Sequence, residues 1–130
     1  MTFNPNRPIY LQMADRLCDE ILAYKYESDN RIPSVREYAM MLQVNSNTAV
    51  KAYEELAQRG IIYNKRGIGY FVAPGAKAEI LKDRKYKFMN ETLPELFHQM
   101  SLLGISVEDV ANAWMESKKV EYTGLEPATF

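Results

Sequence analysis

A short polar run in the middle of the chain carries side chains that can hydrogen-bond to nucleic acid. Residues 45–48 are Asn-Ser-Asn-Thr, and Lys51 follows three positions later. An asparagine can form two hydrogen bonds with the edge of an adenine, while hydroxyl and ammonium groups donate to bases and phosphates. At about 100° per residue, one helix face here would carry Asn47, Lys51, Glu54 and Gln58. An isolated polar face is usually just solvated, so the neighbouring elements must decide between the two interpretations.

Two short amphipathic helices joined by a tight turn are predicted around this run. Pro33-Ser34 marks the start of the first helix, because proline ends what precedes it and serine accepts a hydrogen bond from a free backbone N–H group. Residues 43–46 interrupt the apolar period, and Asn45 or Ser46 can cap the second helix. Arg59-Gly60 ends that helix, since glycine readily takes the left-handed conformation. The apolar positions expected to face the core are Val35, Tyr38, Ala39 and Leu42, then Ala49, Ala52, Tyr53 and Leu56.

Two β-prone runs follow the helix pair. Residues 61–63 and 68–72 are separated by Asn64-Lys65-Arg66-Gly67, which is typical of a hairpin turn. Lys65 and Arg66 are therefore expected at the hairpin tip, where they would lie over a groove or the phosphate backbone; a solvated turn is the alternative. Arg36, one turn into the first helix of the pair, could also reach the backbone. A helix pair followed by such a hairpin is a winged helix-turn-helix, which binds DNA.

A third helix is expected before the pair, from about Pro8 to Tyr24. Its apolar residues recur at helical spacing and should pack across the pair. Cys18, the single cysteine, is expected to be a partly buried structural thiol of this helix, with a redox role as the alternative. The predicted apolar face consists of Ile9, Met13, Leu17, Ile21 and Tyr24.

The chain after the hairpin is predicted to form two further helices. Residues 73–76, Ala-Pro-Gly-Ala, are the clearest linker, and the stretch from Lys77 to Leu103 is prone to helix. Pro94 removes one backbone donor, so this helix should kink there or restart with Thr92 and Glu95 as a capping pair. Gly104 would end it, and Ser106 with Asp109 would cap the last helix.

These two helices carry more apolar surface than they can bury against each other. A second subunit is the expected cover, because two-fold dimers are the commonest oligomers. The alternative is that the helices pack on their own DNA-binding domain. The residues expected at the dimer interface are Met89, Leu93, Leu96, Phe97, Met100, Leu103, Val110 and Trp114.

Several motifs stand in a fixed order between residues 8 and 72. They are Pro8, Tyr10 and Gln12, Ile21, the run 33–37 with Ala39, Val44-Asn45, Asn47-Thr48, the run 51–53, Leu56, Gly60 and the run 66–72. In this order they resemble the N-terminal DNA-binding domain of the GntR family of bacterial transcription regulators. The Val-Asn-x-Asn-Thr run and the short remainder resemble the YtrA-like subfamily. One departure is that Tyr24, Asp29 and Gln43 stand where the family often has glycine, so we expect a different loop shape there.

The resemblance implies a fold, a partner and a set of contacts. The fold is mainly α with a small β-hairpin: a winged helix-turn-helix in residues 1–75, a short two-helix dimerisation domain in residues 76–120 and a tail in residues 121–130. The partner is double-stranded DNA carrying a palindromic operator, bound by a homodimer that acts as a repressor. A small-molecule effector of unknown identity is expected at the dimer interface or between domains. The DNA contacts implied are Ser34, Arg36, Asn45, Ser46, Asn47, Thr48, Lys51, Lys65, Arg66 and Gly67.

Composition limits the other classes of function. The 130-residue chain is 47% hydrophobic and 25% charged, which is a globular balance. It shows no membrane span and no signal peptide, so a cytoplasmic location without membrane contact is expected. The net charge is −1, so DNA binding should depend on a local cluster of basic residues, with acidic residues facing elsewhere. Phosphate would repel Glu54 and Glu55, so only the N-terminal half of the second helix should touch DNA.

No catalytic or metal-binding arrangement is visible. His98 is the only histidine, so neither a nucleophilic triad nor a histidine metal site is expected, and no cofactor is expected. The alternative to a DNA-binding regulator is a winged-helix module for protein–protein assembly, which would not depend on Lys51 or Arg66.

Overall fold

The structure, a computed structural model, describes the backbone of residues 2–122 and the side chains of residues 2–119. The chain divides into two compact units, Met1–Lys85 and Tyr86–Phe130. The predicted fold class, mainly helical with one small hairpin, is confirmed. The elements are α1 Ile9–Leu22, α2 Val35–Leu42, α3 Ser46–Gln58, β1 Ile62–Lys65, β2 Gly69–Val72, α4 Ala76–Lys87, a π-helical segment Phe88–Thr92, α5 Leu93–Leu103 and α6 Val107–Tyr122.

The core of the first unit is built from the facing apolar stripes of α1, α2 and α3. The stripes predicted for α2 and α3 are buried, apart from the half-buried Val35, and the small Ala49 and Ala52 have almost no exposed surface. The prediction for α1 is confirmed for Met13, Leu17 and Ile21 and is wrong at its ends. Ile9 and Tyr24 are largely exposed, because the helix begins at Ile9 and ends before Tyr24, whose φ is 61°.

The hairpin is extended by a third segment, residues 29–32, whose pairing with β2 the sequence pattern did not indicate. β1 and β2 are antiparallel, with Ile62 opposite Val72 and Lys65 opposite Gly69. On the other edge of β2, residues 29–32 form three backbone hydrogen bonds with Tyr70 and Val72, of 2.8–3.0 Å. The segment that precedes α2 is therefore tied to the hairpin.

The first unit extends into the helix that follows the hairpin. We predicted a boundary after residue 75, and α4 does begin at Ala76, but Ala76 and Ile80 are buried in the core of the first unit. Arg84 adds an ion pair of 2.7 Å to Asp19 on α1. About three turns of α4 therefore belong to the winged-helix unit, because their apolar residues are part of its core.

The second unit contains the π-helical segment, α5 and α6. The predicted capping pair at Thr92 and Glu95 is wrong: Thr92 has helical dihedrals and its side chain makes no cap hydrogen bond. The π-helical turn ends two residues before Pro94, and a widened turn of this kind accommodates a residue that lacks an N–H. Gly104, with φ 68°, ends α5 as predicted.

The start of α6 agrees with the sequence. The Ser106 hydroxyl accepts a hydrogen bond from the Asp109 N–H at 3.1 Å, and the Asp109 carboxylate accepts one from the Ser106 N–H at 3.0 Å. These bonds hold the pKa of Asp109 below its ordinary value. The helix continues to Tyr122, into the predicted tail, and the rest of that tail, including Phe130, lies outside the described residues. Within the described part of the chain, no helix has the length and hydropathy needed to cross a membrane.

Candidate nucleic-acid interface

The predicted recognition residues lie in the first two turns of α3. Asn45 is the N-cap, as predicted, and its side-chain oxygen accepts a hydrogen bond from the Asn47 N–H at 2.7 Å. That oxygen keeps a second lone pair, so Asn45 retains an acceptor as well as its NH₂ group, but the cap hydrogen bond fixes the orientation of its amide. Asn47 is exposed and its side chain has no hydrogen bond within the described chain, so its donor and acceptor are both available. Asn47 therefore presents, without a competing hydrogen bond in the described chain, the donor and acceptor that an adenine edge requires.

The remaining residues of this face differ in accessibility. Ser46 and Lys51 are exposed, whereas Thr48 is half-buried. Glu54 is exposed and Glu55 half-buried, both in the second half of the helix. The basic and amide groups therefore precede the acidic ones along α3, and a polyanion would meet only the N-terminal half without repulsion.

The opposite face of α3 fixes the orientation of the helix. The ring of Tyr53 lies 6.1 Å from the ring of Tyr38 on α2 and 5.1 Å, edge to face, from the ring of Tyr70 on β2. Its hydroxyl donates a hydrogen bond to the carbonyl of Pro33, and its burial raises the pKa of the phenol. One side chain thus joins α3 to the entry of α2 and to the hairpin, so the exposed face is presented rigidly.

The start of α2 is a reciprocal capping box. The predicted cap Ser34 accepts from the Glu37 N–H at 3.1 Å, and the Glu37 carboxylate accepts from the Ser34 N–H at 3.2 Å. Hydrogen bonds from Ser34 hold the pKa of Glu37 below its ordinary value. Arg36 is exposed beside this cap and forms no ion pair with the described residues. Its guanidinium is available to an external anion.

The hairpin tip carries one cation, not the two that we predicted. Lys65 belongs to β1 and pairs with Gly69, so the turn consists of Arg66, Gly67 and Ile68. The Ile68 N–H donates to the Lys65 carbonyl at 2.9 Å, and Gly67 has a φ of 80°, which glycine adopts without strain. The prediction was wrong because β1 continues through residues whose composition is typical of a turn.

Lys65 is instead held on an aromatic surface of the hairpin. Its ammonium lies 4.6 Å from the centre of the Phe71 ring and 6.0 Å from that of Tyr63. The two rings stack with centres 5.7 Å apart, and the Tyr63 hydroxyl donates to Asp29 at 2.8 Å. Lys65 is therefore restrained on one face of the hairpin, whereas Arg66 extends from the tip.

Arg31 was absent from the predicted site and lies beside it. Its backbone forms a β-bridge with Phe71, and it stands three residues before Ser34. The guanidinium lies against Gly69: a Cβ at that position would come within 3.0 Å of the arginine Nε. The only signal in the sequence was a basic residue just before the start of α2, since the contact with β2 depends on a distant pairing.

The other candidate sites show no arrangement for chemistry. His98 is exposed on α5, and within the described residues no group of three or more His, Cys, Asp or Glu side chains could hold a metal ion. Cys18 is buried as predicted, and that burial raises the pKa of its thiol to about 11. A thiol with so high a pKa is a poor nucleophile near neutral pH, which fits a structural role.

Comparison with known proteins identifies the domain. Residues 9–72 match the family described as bacterial regulatory proteins, gntR family. The uncharacterized HTH-type transcriptional regulator YhcF of Bacillus subtilis (strain 168) is 37% identical over 108 residues, which cover 83% of this chain and 88% of YhcF. The HTH-type transcriptional repressor YtrA of the same organism is 30% identical over 117 residues, covering 90% of this chain and 88% of YtrA.

A solved structure agrees with both relatives. The crystal structure of a GntR-family transcriptional regulator from Bacteroides thetaiotaomicron is 48% identical to this chain and superposes with a TM-score of 0.76. The match covers 87% of this chain and 98% of that one, so both units are included. This chain therefore belongs to the GntR family of bacterial regulatory proteins and is a DNA-binding transcription regulator, not an enzyme.

Proposed function

We propose that the protein is a repressor that binds a palindromic operator as a homodimer and reads bases with the N-terminal half of α3. The observation that carries this proposal is the exposed Asn47 amide, whose two polar groups are both available on a helix that Tyr53 holds in place. An amide in this state can pair bidentately with adenine in the major groove, and a discriminating contact of this kind is worth about 1–3 kcal/mol.

Other side chains on α3 would complete the readout. Lys51 lies one turn after Asn47 on the same face and can donate to a guanine edge or a phosphate. Asn45 keeps an amide donor, and Ser46 and Thr48 keep hydroxyl groups near the helix N-terminus, where the helix dipole favours an anion. We assign base contacts to Asn47 and Lys51 and mixed base and phosphate contacts to the other three.

The backbone contacts would come from the start of α2 and from the wing. Arg36 and Arg66 are exposed cations without carboxylate partners in the described chain, so neither has to break an ion pair to bind phosphate. The Ser34 hydroxyl can still donate while it accepts the cap hydrogen bond. Gly67 allows the close approach of backbone at the tip, and Lys65 would reach a phosphate from its position over Phe71.

Two protomers would be joined by the second unit. Phe97 is 51% exposed, Leu103 71% and Trp114 61%. Several large apolar side chains exposed on one small unit indicate a surface that another molecule covers. A second copy is the occupant that fits the function, because a two-fold pair of winged helices matches half-sites about 34–36 Å apart. The interface proposed comprises Met89, Leu93, Leu96, Phe97, Met100, Leu103, Val110 and Trp114, of which Met100 is already buried within the protomer.

In this scheme the winged-helix unit, Met1–Lys85, binds DNA and residues 86–120 join the subunits, in the cytoplasm where the operator is accessible. The similarity to YtrA, whose name states that it is a repressor, supports repression as the mode of action. The exposed cationic side chains assigned to DNA are few, and the net charge of the whole chain is −1. Non-specific binding should therefore be weak, and affinity should rest on the correct sequence.

The test is selection of bound sequences from a random duplex pool at near-physiological salt, with Asn47→Ala and Arg66→Ala in parallel. The proposal predicts one enriched palindrome for the unmodified protein. Asn47→Ala should relax the preference at symmetry-related positions, and Arg66→Ala should weaken binding evenly across sequences. Enrichment of a site without two-fold symmetry would overturn the dimeric scheme. Enrichment indifferent to both variants would show that neither Asn47 nor Arg66 contacts the DNA, and no enrichment at all would favour an assembly role for the winged helix.

A further inference from the structure

We infer that Arg31 is a further DNA-contacting residue, which binds a backbone phosphate between the start of α2 and the wing. The inference rests on the proposed function and adds a residue to its phosphate-binding surface. Arg31 is exposed and stands between two elements assigned to DNA: its backbone pairs with Phe71 of the hairpin, and the α2 cap follows three residues later.

The side chain lies on the outer face of the hairpin. Residues opposite each other in a β-pairing project to the same side, so Arg31 shares a side with Phe71, and Phe71 shares it with Tyr63. Lys65 lies over the same two rings. The inner side carries the buried Ile62 and Val72. Two cations, Arg31 and Lys65, therefore occupy one solvent-facing surface of the wing.

The Arg31 guanidinium packs against the backbone of Gly69, which has no side chain to exclude it. A Cβ at residue 69 would approach the Arg31 Nε to 3.0 Å and Nη2 to 3.4 Å, so a residue with a side chain there would force the guanidinium to shift by a few tenths of an ångström. A guanidinium already packed against backbone loses less rotational freedom when it binds an anion than one extended into solvent. The geometry therefore indicates a restrained cation, not a freely moving surface arginine.

The surrounding charges leave this cation available. Two acidic groups lie near it. The Glu37 carboxylate accepts the Ser34 N–H, and its pKa is lowered in part by Arg31. The Asp29 carboxylate, two residues before Arg31, accepts a hydrogen bond from the Tyr63 hydroxyl on the same face of the hairpin. Neither forms an ion pair with Arg31 within the described chain, and Arg31 has no other carboxylate partner there. By contrast, Arg7 pairs with Asp15 at 2.8 Å and is a matched control: an exposed arginine whose charge is already compensated.

The test measures the affinity of the full-length protein for its selected duplex between 50 and 200 mM salt. Arg31→Ala should reduce the slope of log K against log salt by about 0.9, so that the unmodified protein loses about 3.5-fold more affinity than the variant over this range. The loss should be equal on the operator and on an unrelated duplex. Arg31→Lys should keep the slope, and Arg7→Ala should leave both slope and affinity unchanged.

Gly69→Ala supplies a second measurement. It should weaken binding in the unmodified background both by displacing Arg31 and by straining the backbone at φ 142°, and only the part due to Arg31 should disappear when residue 31 is already alanine. Thermal unfolding of each variant shows whether the hairpin remains folded. A slope for Arg31→Ala equal to that of the unmodified protein would overturn the inference while the proposed function stands; failure of the unmodified protein to enrich any duplex would overturn the proposed function itself.

Discussion

The hydroxyl of Tyr53 donates a hydrogen bond to the backbone carbonyl of Pro33, and this contact ties the recognition helix α3 to the residue that precedes the cap of α2. It joins residues 20 positions apart and lies in a partly buried part of the core. The two helices assigned to DNA therefore share one anchor. Loss of this hydrogen bond should lower the stability of the fold, and DNA binding should weaken only because the two helices are then less firmly placed.

Tyr53→Phe should lower the free energy of unfolding by about 1 kcal/mol, because the Pro33 carbonyl loses its donor in a partly buried environment while the ring still fills its space. Chemical denaturation followed by circular dichroism measures the change. Tyr70→Phe is the control, since the Tyr70 ring packs on Tyr53 but its hydroxyl makes no hydrogen bond in the described chain. Equal effects of the two variants would show that the Pro33 contact does not matter.

The capping box of α2 should make stability depend on pH in the acid range. Hydrogen bonds from Ser34 lower the pKa of Glu37 in the folded protein, so the charged form is favoured by folding. This contribution is fully present above the ordinary glutamate pKa and is lost as the pH falls through the lower folded value. The unmodified protein should therefore have a larger free energy of unfolding than Glu37→Gln at neutral pH, and this difference should shrink as the pH falls from about 5 to about 3. A gap that stays constant over this interval would contradict the assignment.

Gln43 adopts a strained backbone conformation at the turn between α2 and α3. Its φ is 57°, in the left-handed region that side chains with a Cβ disfavour by about 1–2 kcal/mol. Gln43→Gly removes this strain, but glycine also has more conformational freedom in the unfolded chain, which opposes folding. The net result should be a rise in the free energy of unfolding of up to about 1 kcal/mol. Gln58→Gly, at a helical position of α3, should lower it instead. The prediction fails if both changes destabilise the protein equally in urea.

The proposed dimer should separate when a charge is placed in its apolar face. Phe97→Asp puts a carboxylate on α5 where a partner would have to bury it, so we expect monomers at micromolar concentration in sedimentation equilibrium. Gln99→Asp adds the same charge to a polar position of the same helix and should leave the dimer intact. If the unmodified protein sediments as a monomer at all concentrations, the apolar face of the second unit is not a dimer interface.

Local signals in the sequence predicted the parts of the structure that local chemistry determines. The caps at Ser34, Asn45 and Ser106 and the glycine terminus after α5 are all confirmed, because each depends on residues within four positions. The expectation of a different loop shape at Tyr24, Asp29 and Gln43, where the family often has glycine, does not hold: all three have a positive φ, the conformation that glycine adopts most readily.

Features set by distant pairing were not predictable in the same way. The place of Lys65 within β1 follows from its register with Gly69, and the contact of Arg31 with the hairpin follows from a pairing 40 residues along the chain. The burial of Ala76 and Ile80 likewise depends on a core whose other members lie earlier in the chain. From composition alone, Lys65 was expected at the hairpin tip, Arg31 in a loop and Ala76 in a linker. Tertiary contacts place each of them in or against a regular element instead.

The most direct test of base reading by α3 is a competition experiment with the selected operator and a panel in which each base pair is replaced in turn. The unmodified protein and Asn47→Ala are measured side by side at fixed salt. We predict that Asn47→Ala loses discrimination, by about 1–3 kcal/mol, at one position in each half-site and keeps it at every other position. A variant that discriminates at all positions as the unmodified protein does would show that Asn47 does not read a base, and would contradict sequence recognition through the exposed amide of α3.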